Sequence, residues 1–259
     1  MKKIRIGRGL NALFFRFVYP RGSVCVLCGH KLFKYLPYPR GSCSTSLLMN
    51  ALGGIGSDLS RFECPWCGCH DRERHLFLYM TACGILPDLR RKSVLHFAPE
   101  KRLSARLIAA NPAQYIKCDL FPQTEDVRKV DILKTPFDGD SFDLVIANHV
   151  MEHVEDDGLA LSEVRRVLKP GGYAILQTPF VSRLFHTWSD PGIDGDEARL
   201  QAYGQEDHVR LYGRDIFDRF EQSGLKAEVK LHRNVLGDFN GQIFGVNEDE
   251  PFFLFNKPG

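Results

Sequence analysis

The stretch from Ser93 to Phe180 constrains the fold more than any other, and its centre is Asp143-Leu-Val-Ile-Ala-Asn-His-Val-Met-Glu-His-Val154. Phe142 and the run Leu144 to Ala147 have the length and apolarity of a buried strand, and the polar run starting at Asn148 is expected to turn into a helix. Upstream, Val94-Leu-His-Phe97 reads as a short strand, Lys101 to Ala110 as a helix ended by Asn111-Pro112, and Tyr115 to Asp119 as a second strand. Downstream, Ser162 to Leu168 completes an amphipathic helix, Leu168-Lys-Pro-Gly-Gly172 stops it, and Tyr173 to Thr178 resumes as a strand. Strands alternating with helices predict an open α/β sheet, whose ligands sit beyond the carboxyl ends of the strands.

Two groups of residues stand at those ends. Asp119 closes the second strand, some twenty residues after the first strand-to-helix turn, where a carboxylate suits ribose hydroxyls. Asn148, His149, Glu152 and His153 follow the central strand, and i, i+3, i+4 spacing is expected to put His149, Glu152 and His153 along one helical face.

Ser141-Phe-Asp-Leu-Val145, Glu152-His-Val154 and Leu168-Lys-Pro-Gly-Gly172 resemble, in order and spacing, the class I S-adenosylmethionine-dependent methyltransferases over roughly the C-terminal two thirds of the chain. The resemblance implies a Rossmann-like, doubly wound, seven-stranded sheet with S-adenosyl-L-methionine as cofactor. In that family the first turn normally reads acidic-x-Gly-x-Gly-x-Gly, whereas here it is His96-Phe-Ala-Pro-Glu100. The same run resembles the turn of bacterial methyltransferase-like proteins that carry a zinc knuckle, which implies a variant loop contacting the cofactor through His96, Phe97, Ala98 and Glu100. Glu100 would meet the ribose or the amino group, or simply cap the helix electrostatically. Val130-Asp-Ile-Leu133 matches the family's third strand, which implies that Asp131 receives the adenine amino group with Ile132 beside the ring. Asp119 with Leu120, and Asn148, complete the cofactor set. The Glu152-His153 pair further resembles the Glu-x-x-Glu-His of metal-dependent O-methyltransferases, including enzymes that methylate the RNA 3′-terminal ribose, with His149 in place of the first Glu. A divalent ion there would bind a substrate hydroxyl; in metal-free relatives the same Glu-His-Val packs and orients the loop.

Ahead of this domain, Cys25-Val-Leu-Cys28-Gly29 and Cys64-Pro-Trp-Cys67-Gly68 repeat one knuckle, and two such knuckles supply the four thiolates of a structural zinc site. Cys25, Cys28, Cys64 and Cys67 are the expected ligands, with Cys43, Cys69, His30, His70 and His75 as spares. The segment Asp71 to Met80 after the second knuckle predicts a helix with Leu76, Tyr79 and Met80 packed inward. These features divide the chain into a basic, apolar segment over residues 1–22, a zinc-knuckle module with its linking helix over 23–92, and the methyltransferase domain over 93–259.

The net charge of +2 hides an asymmetry, because residues 1–92 carry 15 Lys and Arg against 5 Asp and Glu while the rest carries 19 against 27. A module at +10 suggests an anionic partner such as nucleic acid, a phosphorylated precursor or a membrane surface, or else a surface docked on the acidic domain beside it. No apolar run reaches membrane-spanning length, no secretion signal is evident, and eight cysteines without one argue for thiols in a reducing, cytoplasmic location.

Three functions compete. The first is methyl transfer from S-adenosylmethionine to an oxygen or nitrogen of a small-molecule or saccharide-type acceptor, with His208, Glu152 and His149 serving the acceptor. The second is the same chemistry on RNA, bound through the basic module. The third is a zinc-stabilised scaffold with a decayed catalytic domain, motivated by the glycine-free first turn. Phe180 to Gly204 has no periodicity and is expected to form an active-site lid or substrate loop, leading to His208 as a general base and Arg210 as a carboxylate or phosphate ligand, or to both as loop tethers.

Overall fold

The structure, a computed structural model, describes residues 22–39, 46–237 and 239–259. The N-terminal segment assigned to residues 1–22, apart from Gly22, and the spare thiol Cys43 lie outside the described residues.

In chain order the module holds β1 (Ser23–Val24), β2 (Lys31–Leu32), α1 (Leu47–Ala51), β3 (Gly54–Ile55) and α2 (Asp71–Ala82). The domain follows with β4 (Ser93–Phe97), α3 (Lys101–Ala109), β5 (Gln114–Asp119), β6 (Arg128–Lys129), β7 (Phe142–Ala147), α4 (Asp157–Val167), β8 (Leu168–Ile175) and β9 (Phe180–Val181). It ends with α5 (Asp196–Tyr203), α6 (Ile216–Glu221), β10 (Lys226–Ala227), α7 (His232–Val235), α8 (Gly241–Phe244) and β11 (Leu254–Asn256). Seven strands form one sheet in the order β10-β11-β8-β7-β4-β5-β6, parallel except at β11, which runs antiparallel to both β8 and β10. The expected doubly wound sheet of seven strands is therefore present.

Alternation along the strands builds a core on each face of the sheet. Leu95, Phe97, Val145 and Ala147 point to the side covered by Leu161, Val164 and Phe220 of α4 and α6. Val94, Leu144 and Ile146 point to the other, against Leu76, Tyr79 and Met80 of α2 and Leu103 and Leu107 of α3. Leu76, Tyr79 and Met80 do pack inward, and they do so on the sheet, so the helix that leaves the second knuckle is itself part of the domain's core.

Polar contacts lock module to domain. Glu73 Oε2 accepts from the backbone nitrogens of Arg102 and Leu103 at 3.0 Å each, capping the first turn of α3 from another element. In return Arg102 donates to Cys67 O and Arg106 to Leu27 O, so two arginines of the domain hold both knuckles by their carbonyls. Arg74, fully buried, lies 4.0 Å over the Tyr35 ring and donates to the carbonyls of Arg61, Cys69, Phe244 and Gly245.

Several local expectations fail for identifiable reasons. No helix starts at Asn148: the His149 N–H bonds to Gln177 O, its φ is +56°, a single 3-10 turn spans Met151–His153, and α4 begins only after Asp156 caps Leu159 N. The third-strand position falls at Arg128–Lys129, two residues before Val130, because Asp131 Oδ1 turns the chain by accepting from Leu133 N. Pro170-Gly-Gly172 lies inside β8 as a bulge, with Gly171 at φ +75° and Gly172 so close to Asp143 O that a Cβ would sit 3.1 Å from it. The span Phe180 to Gly204 is not structureless, since it contains β9 and α5. Beyond α6 the chain forms β10 and a bridge at Lys230, and His232 opens α7.

Candidate active site

Register aligns the first set of predicted residues. Phe97 pairs with Cys118 of β5 and with Ala147 of β7, so Ala98, Asp119 and Asn148 come next in a row along the carboxyl edge of the sheet. Ala98 has φ +46°, the left-handed conformation that glycine normally supplies, and its N–H bonds to Cys118 O. The variant turn thus bends as a glycine turn would, at some strain. His96 and Phe97 are buried below it, Asp131 and Leu120 are exposed beyond it, and Ile132 is buried beside Asp131.

Glu100 stands at the N-cap position of α3 but its side chain accepts no helix N–H, and Glu73 accepts from the first-turn nitrogens instead. Glu100 Oε1 accepts from Asn148 Nδ2 at 2.6 Å and lies 3.7 Å from Arg72 Nε, and its Oε2 lies 3.3 Å from His96 Nε2. Burial raises its pKa, but His96 and Arg72 outweigh that and hold it below the usual carboxylate value. Asn148, 1% exposed, keeps Oδ1 without a hydrogen bond at the edge of this row. An anionic carboxylate and an unpartnered amide oxygen suit an ammonium group, and Asp119 suits vicinal hydroxyls, so the residues present fit S-adenosylmethionine.

The second set is not one helical face. His149, turned by its left-handed backbone, sits between two buried carboxylates, 3.3 Å from Glu152 Oε1 and 3.5 Å from Glu250 Oε1. Burial alone would lower the histidine and raise the acids, but hydrogen bonding between them reverses both, lifting His149 to about 9 and holding Glu152 and Glu250 at about 2. His149 is therefore an imidazolium at neutral pH. Glu250 also meets His75 Nδ1 at 3.2 Å, and His75 Nε2 meets His232 Nδ1 at 3.0 Å, so the chain of buried ionisable groups runs from the module helix to the strand end. His208 lies near Glu152 and His153, its Nδ1 bonded to Tyr203 O and its Nε2 without a hydrogen bond. Burial pushes its pKa down. Arg210 is a tether, donating to the carbonyls of Met151, Val154 and Glu155.

A cavity of about 400 Å³ opens beside these groups. His149, Pro179, Gln205 and His208 form its wall on the domain side, and Tyr38, Ile55, Phe62 and Arg72 roof it from the module. Arg72 and Glu250 carry weight here that the sequence does not disclose: Arg72 sits in the ionisable run His70 to His75 that looks solvated, and Glu250 lies far along the chain.

The four predicted zinc ligands converge, with one sulfur of each within 4.8 Å of the others. Cys25 and Cys67 are 3.8 Å apart and Cys28 and Cys64 3.9 Å, matching the roughly 3.8 Å edge of a tetrahedron with Zn–S bonds of about 2.3 Å. Gly29 and Gly68, at φ +76° and +74°, close the two knuckle turns onto Cys25 O and Cys64 O. Among the spares, Cys69 lies 3.4 Å from Cys25 beside the Arg74 guanidinium. His30 stacks on Trp66, His70 on Phe62, and His75 faces Glu250.

Comparison with known proteins gives a match between residues 96–176 and the family described as a methyltransferase domain. Among curated proteins, an uncharacterized 37.1 kDa protein in a Streptomyces fradiae transposon is 28% identical over 127 residues, 47% of this chain and 32% of that protein. An uncharacterized methyltransferase of Schizosaccharomyces pombe is 48% identical over 42 residues, 16% of this chain and 15% of its own length. The chain spans about a third or less of the curated relatives it matches. Among solved structures, a chain of the complex between the Haloferax volcanii Trm112 methyltransferase activator and a methyltransferase is 16% identical, with 73% of this chain and 94% of that one covered and a TM-score of 0.45. An S-adenosylmethionine-dependent methyltransferase from Mesorhizobium loti is also 16% identical, covering 68% and 94%, with a TM-score of 0.42. The family match falls on β4 to β8, the strands that carry the row of strand-end residues, so over residues 96–176 the chain is similar to a methyltransferase domain.

Proposed function

We propose that the chain transfers a methyl group from S-adenosylmethionine to an oxygen or nitrogen of a small-molecule or saccharide-type acceptor held beneath the cysteine module. The observation that carries this reading is the adjacency of Asn148 and His149: one belongs to the cofactor row, and the next lines the cavity. A cavity of about 400 Å³ lies in the range of small-ligand sites.

The cofactor's sulfonium supplies an activated methyl group. Asp119 accepts from the ribose hydroxyls, and Asp131 from the adenine amino group, with Ile132 and Leu120 against the ring. Asn148 Oδ1 and Glu100 accept from the methionine ammonium, while His96, Phe97 and Ala98 shape the turn beneath it. Zinc held by Cys25, Cys28, Cys64 and Cys67 fixes the roof through Arg102 and Arg106. His208, neutral and backed by Glu152, presents an unshared lone pair on the acceptor side, and His149, its two ring nitrogens facing Glu152 and Glu250, lines the same space. Holding donor and acceptor in line contributes the larger part of such a reaction.

The test is to incubate the zinc-loaded full chain with methyl-labelled S-adenosylmethionine and a cell extract divided into small molecules, saccharides and RNA. Label in the small-molecule or saccharide fraction is expected. Label confined to RNA moves the acceptor to nucleic acid, and no label with intact cofactor binding favours the scaffold.

A further inference from the structure

The row at the carboxyl edge of β4, β5 and β7 supplies two carboxylates, Glu100 and Asp119, and an amide, Asn148, but no lysine or arginine. S-adenosylmethionine ends in an α-amino acid, so its carboxylate follows wherever its ammonium is held. A carboxylate placed beside Glu100 meets a like charge unless a cation stands next to both.

Arg72 is such a cation, and it comes from α2 of the module. Its Nε lies 3.7 Å from Glu100 Oε1, within ion-pair reach but beyond the roughly 2.7–2.9 Å of a charge-assisted hydrogen bond. That Nε is buried and makes no hydrogen bond, and neither do Glu100 Oε2 and Asn148 Oδ1. One orphaned donor on a permanent cation and two orphaned acceptors in one cluster match an α-amino acid zwitterion, whose carboxylate satisfies the first and whose ammonium satisfies the others. The separation of Arg72 and Glu100 is also fixed. Glu73, the residue after Arg72, accepts from His70 N at 2.9 Å and, through its second oxygen, from Arg102 N and Leu103 N at 3.0 Å each, so one side chain ties the first turn of α2 to the turn that follows Glu100. The second knuckle runs straight into this turn, with Cys64 N bonded to Cys69 O at 2.9 Å. Arg72 lines the cavity as well, so its guanidinium stands at the boundary between the cofactor row and the acceptor space.

We infer that the cysteine module completes the donor site: Arg72 receives the carboxylate of S-adenosylmethionine, while Glu100 and Asn148 Oδ1 receive its ammonium. The inference rests on the methyltransferase reading and deepens it, because the donor site is then shared between module and domain.

The test is titration calorimetry of the zinc-loaded full chain with S-adenosylmethionine and with its decarboxylated analogue, which keeps the sulfonium and the ammonium. Wild type should bind the analogue about tenfold or more weakly, since Arg72 then faces an ammonium with no carboxylate between them. Arg72→Gln should weaken S-adenosylmethionine by about tenfold or more and leave the analogue as tight or tighter, so that the preference for a carboxylate disappears. Arg72→Lys should restore part of that preference, with a point charge in place of a planar fork. Equal affinity of wild type for both compounds, or equal weakening of both by Arg72→Gln, overturns the inference, and the first of these comparisons needs no variant to fold. Cofactor binding without a carboxylate preference sinks this inference alone, whereas no binding of either compound by folded wild type sinks the methyltransferase reading with it.

Discussion

Glu73 Oε2 lies 3.0 Å from the backbone nitrogen of Leu103, so a carboxylate from the cysteine module caps the helix that follows the variant first turn of the methyltransferase domain. This contact couples module to domain. Removing the cap with Glu73→Ala should cost about 1–2 kcal/mol, read as a single unfolding transition shifted to lower denaturant rather than two separated ones.

Glu73 also gives a pH signature. Burial, reinforced by the Glu100 charge, pushes its pKa up to about 7 against the backbone N–H groups it accepts. An acid raised in the folded state contributes stability that is complete below its unfolded value and is lost as pH rises through the folded one. Glu73→Gln keeps an acceptor for Leu103 and removes the charge. Wild type and variant should therefore have similar stability near pH 4.5, with the variant more stable at pH 8 by chemical denaturation.

Asp157 gives the opposite slope. Burial alone would raise it, but Arg219, bonded to both carboxylate oxygens at 2.6 Å, with Arg210 and Tyr212, holds it low. Its stabilisation is present above the unfolded carboxylate value and lost as pH falls through the folded one. Asp157→Asn should cost about 1–3 kcal/mol at neutral pH, as expected for weakening the charge-assisted hydrogen bonds from Arg219, and the difference from wild type should shrink in acid.

The zinc reading predicts that Cys64→Ser lowers zinc content below one equivalent. Because Arg102 and Arg106 grip the knuckle carbonyls, the loss should reach the domain: thermal unfolding of the whole chain should fall, not just that of a frayed module. Retention of a full zinc equivalent would point to Cys69 as a replacement ligand.

The sheet was legible because each central strand is an apolar run bounded by turn residues, a pattern local to a few positions. The cysteine pairs were legible because a knuckle is a local motif repeated. What escaped was long-range. Nothing near Asn148 foretells that Gln177 O takes the His149 N–H and turns the backbone left-handed, which breaks the expected helical face. The charged run Asp71 to His75 looks solvated, yet Glu73, Arg74 and His75 are buried because α3, the Gly245 carbonyl and Glu250 supply partners from distant parts of the chain. Within the basic module, Arg61 pairs with Asp58 and Arg74 binds carbonyls inside the protein, partners that the sequence does not disclose.

The most direct test of the central claim is titration calorimetry of the zinc-loaded chain with S-adenosylmethionine, alongside Asp119→Ala. Binding at about micromolar Kd, roughly −8 kcal/mol, is expected, weakened about 10- to 100-fold in the variant by loss of charge-assisted hydrogen bonds to the ribose. No heat of binding by folded wild type, or equal affinity in the variant, would contradict the cofactor site at the carboxyl edge of β4, β5 and β7.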